Sequence, residues 1–124
     1  MVNIQENLGV RIETIEAFHM MWDNFPHPVL LLKKSREIVA MNKCAQERGY
    51  LACGKCFERG GKTEIHAGCL ANTALELGEP QRKVSYNKAT NRITDGYWLP
   101  VPDEKDLYLH FAVYIDLPAE NQPG

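Results

Sequence analysis

The sequence predicts an α+β domain, a five-stranded antiparallel sheet with helices on one face and an N-terminal helix. Three observations carry this. Leu8, Ile12, Ile15, His19 and Trp22 recur at alternating steps of four and three, the period of a helical stripe. Later segments alternate instead. Ile93, Tyr97, Leu99 and Val101 share one parity, and Leu107, Leu109, Phe111, Val113 and Ile115 follow every second position. Between these regions, two short apolar runs flank a polar turn, which is the pattern of a strand hairpin.

Each element has its own start and stop signals. Asn3 followed by Glu6 reads as a capping box that opens the first helix, and Pro26 ends it. Residues 1–24 therefore form an amphipathic helix. Its narrow seam suits either its own domain or a second copy, and a homodimer through Leu8, Ile12, Ile15 and Trp22 is the sharper expectation. Pro28-Val29-Leu30-Leu31-Leu32 and Ile38-Val39-Ala40-Met41 form the hairpin, with Lys33, Lys34 and Arg36 as its solvated turn. Asn42 caps a short helix that Gly49 ends. Thr63 caps another that runs to Leu77, with Leu70, Ala74 and Leu77 as its apolar face, and Gly78 and Pro80 stop it. Val84 and Tyr86 mark the third strand. Pro102-Asp103-Glu104-Lys105-Asp106 is the turn between the last two. The body of the domain spans 25–117, and 118–124 reads as a flexible tail.

At 124 residues the chain fits one domain, and 44% hydrophobic content supports a real core. A net charge of −2 gives no footprint for nucleic acid. No apolar stretch is long enough to span a bilayer, and no secretory leader is legible, so a cytoplasmic location is expected. No Ser–His–Asp grouping, phosphate-cradling Gly loop or nucleophile elbow is visible, and no enzymatic activity is expected. Asp95 and Asp116 do not read as a catalytic pair. His19, His27 and His110 read as structural or solvated, with His110 on the outward face of the last strand.

The densest chemistry lies in Cys53-Gly54-Lys55-Cys56 and His66-Ala67-Gly68-Cys69. Each pair encloses two residues, a spacing from which two ligands can reach one ion. Together they make a Cys3His set. On the expected helix His66 and Cys69 share a face. Zinc fits a closed tetrahedral set of this kind and would pin a Gly-rich loop. Free thiols and a reversible Cys53–Cys56 disulfide remain open readings. Cys44 either replaces Cys53 as a ligand or belongs to the core.

In order and spacing, the chain resembles a PAS domain over roughly 25–117. The resemblance rests on Phe25-Pro26-His27-Pro28-Val29-Leu30-Leu31-Leu32 as first strand and on Ile38-Val39-Ala40-Met41-Asn42 with its strand-ending Asn. Leu77-Gly78-Glu79-Pro80 before the third strand and Tyr114-Ile115-Asp116-Leu117 at the end complete it. Cys56-Phe57, Gly60-Gly61, Cys69 and Gly78-Glu79-Pro80 are similar to the layout of Cys-containing bacterial sensor PAS domains, with His66 where those carry a cysteine. The resemblance implies a sensory, signal-transducing module, as in two-component systems, that binds a metal or small ligand and contacts a downstream kinase or regulator. Trp22 and Trp98 read as covers of the core edges, and the resemblance offers Trp98, in the fourth strand, as the residue that could face a cofactor or ligand cavity. An iron–sulfur cluster is the alternative where two Cys pairs hold iron, and haem where His66 supplies an axial ligand. His66 makes zinc the better match. The Asn-Cys-Arg type motif of flavin-binding blue-light relatives is absent at Asn42-Lys43-Cys44-Ala45. A redox-active thiol protein using Cys53 and Cys56, or a zinc-stapled interaction module without sensing, are the rival functions.

Overall fold

The computed structural model describes residues 9–50 and 69–118. In chain order the elements are α1 (Ile12–Trp22), β1 (Val29–Lys33), β2 (Ile38–Met41), α2 (Lys43–Glu47), α3 (Ala71–Leu77), β3 (Gln81–Asn87), β4 (Arg92–Pro100) and β5 (Leu107–Asp116). The strands form one antiparallel sheet in the order β2-β1-β5-β4-β3. Thus β5, last in sequence, sits at the centre, and its neighbours are β1 and β4.

Strand parity divides the core in two. Leu30, Leu32, Trp98 and Tyr108 project to the face covered by α2 and α3, where they meet Ala45, Ala71 and Ala74. Val29, Leu31 and Leu107 project to the other face, where Ile15 and Phe18 of α1 cover them. This is why β1 reads as an unbroken apolar run rather than an alternation, since both of its faces are buried. Fully burying each of these leucines contributes about 1.5–3 kcal/mol. A bulge in β2 opposite Leu31/Leu32 keeps Ile38 and Met41 on the α2/α3 face, while Val39 and Ala40 both join the α1 side.

Asn42 is polar and fully buried. Its Oδ1 accepts from Val29 N and from Ala45 N, each at 3.0 Å. Its Nδ2 donates to the carbonyls of Trp22 (3.0 Å), Phe25 (3.3 Å) and His27 (2.9 Å). One side chain therefore caps α2 and ties the chain between α1 and β1 to the end of β2. The cap expected from sequence is present, and Gly49 follows α2 in a left-handed conformation (φ 90°).

Several expectations need correction. The first helix does not run through from Asn3. Gly9 has φ 82°, residues 9–11 are not helical, and α1 starts at Ile12. Leu8 lies outside the described residues. Within the chain, Ile15 is buried beneath α1 and the half-buried Trp22 packs on Phe111 at 5.4 Å. Ile12 of the same stripe is exposed, as are Met20 and Met21. The helix expected from Thr63 is in its described part only Ala71–Leu77, with Cys69 and Leu70 outside it. Its apolar face is Ala71 and Ala74, while Leu77 is exposed. Gly78 does end it, at φ 66°.

The hairpin turn also differs. Lys34 is exposed, but Arg36 is only 1% exposed. A φ of 79° turns its side chain inward. There Nη1 donates to Lys34 O and, at 3.2 Å, to Asn72 Oδ1, and the guanidinium lies 5.8 Å from the centre of the Tyr108 ring. The residue binds the β1–β2 turn to α3 across the sheet face.

Candidate functional site

The α2/α3 face of the sheet continues past the helices onto β3, β4 and β5, and there it is concave. Register explains the shape. Lys83, Gly96 and Ala112 lie in one row across the strands. On one side is the row of Trp98 and His110. On the other is the row of Ser85, Thr94 and Tyr114. Successive same-face rows are about 6.8 Å apart. A row of glycine and alanine between two rows of larger side chains therefore leaves a groove. Its volume is about 300 Å³.

Gly96 matters for a second reason. A Cβ there would meet Trp98 Cη2 at 3.4 Å, so the missing side chain lets the indole lie down towards the strand. Trp98 then stacks on His110, with ring centres 4.7 Å apart and planes 14° from parallel. His110 is anchored from below: Nδ1 lies 2.8 Å from Tyr97 O. A carbonyl only accepts, so Nδ1 carries the proton and donates, which leaves Nε2 as the acceptor nitrogen of the neutral ring. Trp98 is 4% exposed, and its indole Nε1 has no hydrogen-bond partner among the described residues. A buried donor left unpaired costs about 1–3 kcal/mol.

Among the described lining residues the charge is positive. Lys83 lines the groove, and no carboxylate is among the described lining residues. Beyond Tyr114, Arg92 Nε donates to Asp116 Oδ1 at 2.7 Å while its guanidinium lies 5.2 Å from the Tyr114 ring centre. The hydrogen bond from Arg92 holds the Asp116 carboxyl below the usual carboxylate range and raises its own pKa. Asp95 lies on the opposite face of the sheet, clamped by Arg82 at 2.7 and 2.9 Å, with Tyr97 Oη donating to it at 2.9 Å. The Arg82 hydrogen bonds likewise hold it low. Asp95 and Asp116 thus face opposite ways, each neutralised by its own arginine.

Of the expected metal ligands, Cys53, Cys56 and His66 lie outside the described residues. Cys69 is a half-buried free thiol that packs against the cluster containing Trp98 and Tyr108. Cys44 is a half-buried thiol too, and its Sγ lies 3.7 Å from Pro26 O. Among the described residues no group of three potential ligands converges on one point. Trp98 is buried at 4% exposure and its edge lines the groove. His110, expected on the outward face, lies on the groove face. Its partner row shows why: strict alternation with Leu109 and Phe111 puts it on the face of Trp98, and that face is the concave one. The small residues Gly96 and Ala112 were the signal that could have located the groove, since a pair of them in neighbouring strands leaves a gap in a sheet face.

Among the described residues no helix is long and apolar enough to cross a membrane. No family model and no curated protein sequence matches the chain. Its fold is similar to solved structures. A sensory box sensor histidine kinase from Vibrio cholerae matches at a TM-score of 0.59 and 11% identity, covering 83% of this chain and 90% of that one. The PAS domain of BvgS from Bordetella pertussis matches at 0.54 and 16% identity, covering 86% and 89%. A domain of an HTR-like protein from Haloarcula marismortui matches at 0.51 and 16% identity, covering 73% and 98%. At these identities the likeness speaks to the fold.

Proposed function

We propose that this chain, which has the PAS fold, is a cytoplasmic sensory module that binds a small molecule in the groove over Gly96 and Ala112 and reports occupancy to a partner protein. The observation that carries this is the groove itself: about 300 Å³, walled by a stacked Trp98–His110 pair and lined by Lys83, Ser85 and Thr94. Pockets of this size, apolar with a few placed polar groups, are the usual form of ligand sites. The solved neighbour named as a sensor histidine kinase supports the sensory side of the reading. Asp95 and Asp116 are each tied to an arginine, on opposite faces of the sheet. Output would pass through α1, whose exposed Ile12, Met20 and Met21 offer apolar surface to a downstream kinase, a regulator or a second copy.

The test is a thermal-shift screen of small organic acids, amines and neutral aromatics against the protein and against Gly96→Val, whose extra methyl groups project into the groove. Ligands that stabilise the parent and not the variant support the reading. If no ligand behaves so, it falls.

A metal is a second reading, favoured by Cys69, which sits beside the same core cluster as Trp98. With Cys53, Cys56 and His66 it would complete a Cys3His set suited to zinc, with an iron–sulfur cluster or haem as the iron alternatives. Metal analysis of anaerobically purified protein, with its absorption spectrum, decides between them. About one colourless zinc per chain supports the staple, iron with visible bands supports a redox or gas sensor, and no metal removes the site.

A further inference from the structure

From the chemistry of its walls we infer that the groove selects a planar aromatic anion, an aryl or heteroaryl carboxylate. This rests on the groove being a ligand site and goes further by naming the ligand class. Three features converge. The first is shape. The Gly96–Ala112 row is the floor of a slot between two rows that together span about 13.6 Å from Cα to Cα, four residue steps along the strands. Subtracting the half-thickness of the side chains on each side leaves room for one flat ring system. The volume of about 300 Å³ equals the liquid volume of about ten waters, which a single or fused ring with one polar substituent fills.

The second feature is the π surface. Trp98 and His110 stack nearly parallel, and Tyr114 stands in the facing row. Aromatic walls on both sides of a slot favour a flat π-system over an aliphatic chain of equal volume, because offset or edge-on ring pairs contribute beyond their buried area.

The third is charge. The Lys83 ammonium lines the groove and makes no ion pair with a described carboxylate. The rim pair Arg92–Asp116 is internally neutral, so among the described residues Lys83 is the charge that a groove ligand meets. A carboxylate on a ring answers that cation, whereas a protonated amine would be repelled by it.

The experiment is calorimetric titration of the full chain with 2-naphthoate, its neutral isostere 2-naphthamide, and citrate as a non-aromatic anion. Expected is one site for 2-naphthoate, with 2-naphthamide about tenfold weaker, as losing a charge-assisted hydrogen bond predicts, and citrate undetectable. Lys83→Met, on an exposed position of the edge strand, should lower 2-naphthoate affinity about tenfold and leave 2-naphthamide unchanged. Equal binding of acid and amide, tighter binding of citrate, or no effect of Lys83→Met overturns the inference. So does 2-naphthoate binding that survives both Gly96→Val and Ala112→Leu, each checked for folding by circular dichroism. If the screen finds groove ligands that Gly96→Val abolishes while 2-naphthoate does not bind, the ligand class is wrong and the sensory reading stands. If nothing binds in the groove, both fall.

Discussion

Asn42→Ala tests whether one buried amide holds the domain's two halves in register. The side chain offers one acceptor oxygen to Val29 N and Ala45 N and two amide protons to three carbonyls, those of Trp22, Phe25 and His27. Two protons cannot serve three acceptors at full strength, so the count is about four bonds, each worth about 1 kcal/mol net. The loss of the α2 cap is part of that sum. Removing them all should cost about 4 kcal/mol, a large share of the 5–15 kcal/mol that typically holds a domain together. Urea unfolding followed by circular dichroism reads this as a lower midpoint with an unchanged slope. Asn42→Asp sharpens the test. The shape is kept, but both amide protons are replaced by lone pairs facing three carbonyl oxygens. Burial among acceptors raises the carboxyl's folded pKa above its unfolded value of about 3.9. The variant is therefore least penalised below about pH 3.9, and it loses stability as pH rises from there through the folded pKa. A cost for Asn42→Ala under about 1 kcal/mol would refute the reasoning, because it would mean that water replaces the amide at no loss.

Arg36→Ala should destabilise by about 2–4 kcal/mol, since it removes a buried side chain, its bonds to Lys34 O and Asn72 Oδ1 and its packing on Tyr108; a solvated turn residue would cost under about 0.5 kcal/mol in the same urea melt. Glu104 accepts from Thr14 Oγ1 at 2.7 Å and from Arg11 Nε at 3.3 Å, tying the β4–β5 turn to the start of α1. The Thr14 hydrogen bond leads in holding its carboxyl below the usual range. A depressed folded pKa gives stability that is present above the unfolded value of about 4.3 and is lost as pH falls through the folded pKa. Glu104→Gln should flatten the melting temperature's dependence on pH on the acid side of about 4.3 and leave its slope near neutrality unchanged.

The fold was largely legible because most of its signals are local. Asn42 as a cap, Gly78 as a stop, the Pro102–Asp106 turn and the clean parity of Leu107 to Ile115 each need only a few neighbours to read. What failed depended on partners far along the chain. The stripe of α1 was periodic enough for either an external seam or an internal face. Val29, Leu31 and Phe111 sit under it only once β5 inserts between β1 and β4. Arg36 lies in a basic run that reads as solvent-exposed, and its burial depends on Tyr108 and Asn72, some seventy and thirty-six positions away. The groove was half visible. Trp98 was picked out by a resemblance, but His110 and Lys83 join it only through cross-strand register, which no single-strand pattern contains. Of the proposed metal ligands only Cys69 lies among the described residues.

Strand β5 has a position that makes a signal mechanically reasonable. Its opposite faces touch both the groove and the cluster beneath α1. His110, Ala112 and Tyr114 line the groove, while Leu109 and Phe111 belong to the cluster beneath α1. Phe111 meets Trp22 at 5.4 Å and Phe25 at 5.5 Å, and stacks on Tyr97 at 5.1 Å. A ligand that restrains β5 from one face must alter what α1 experiences on the other, because a packed interior does not deform continuously. Amide exchange measures this. With a groove ligand at tenfold its dissociation constant, global stability rises by about 1.4 kcal/mol, which slows every amide that exchanges only by complete unfolding. The informative amides are those of Ile12–Trp22 that open locally, because mass action alone leaves them unchanged. They should slow together with β5. In Trp22→Ala, which cuts the contact to Phe111, β5 should still slow and α1 should not. Slowing confined to β5 in the parent protein would refute the coupling and leave α1 as a cover for the core without a part in signalling.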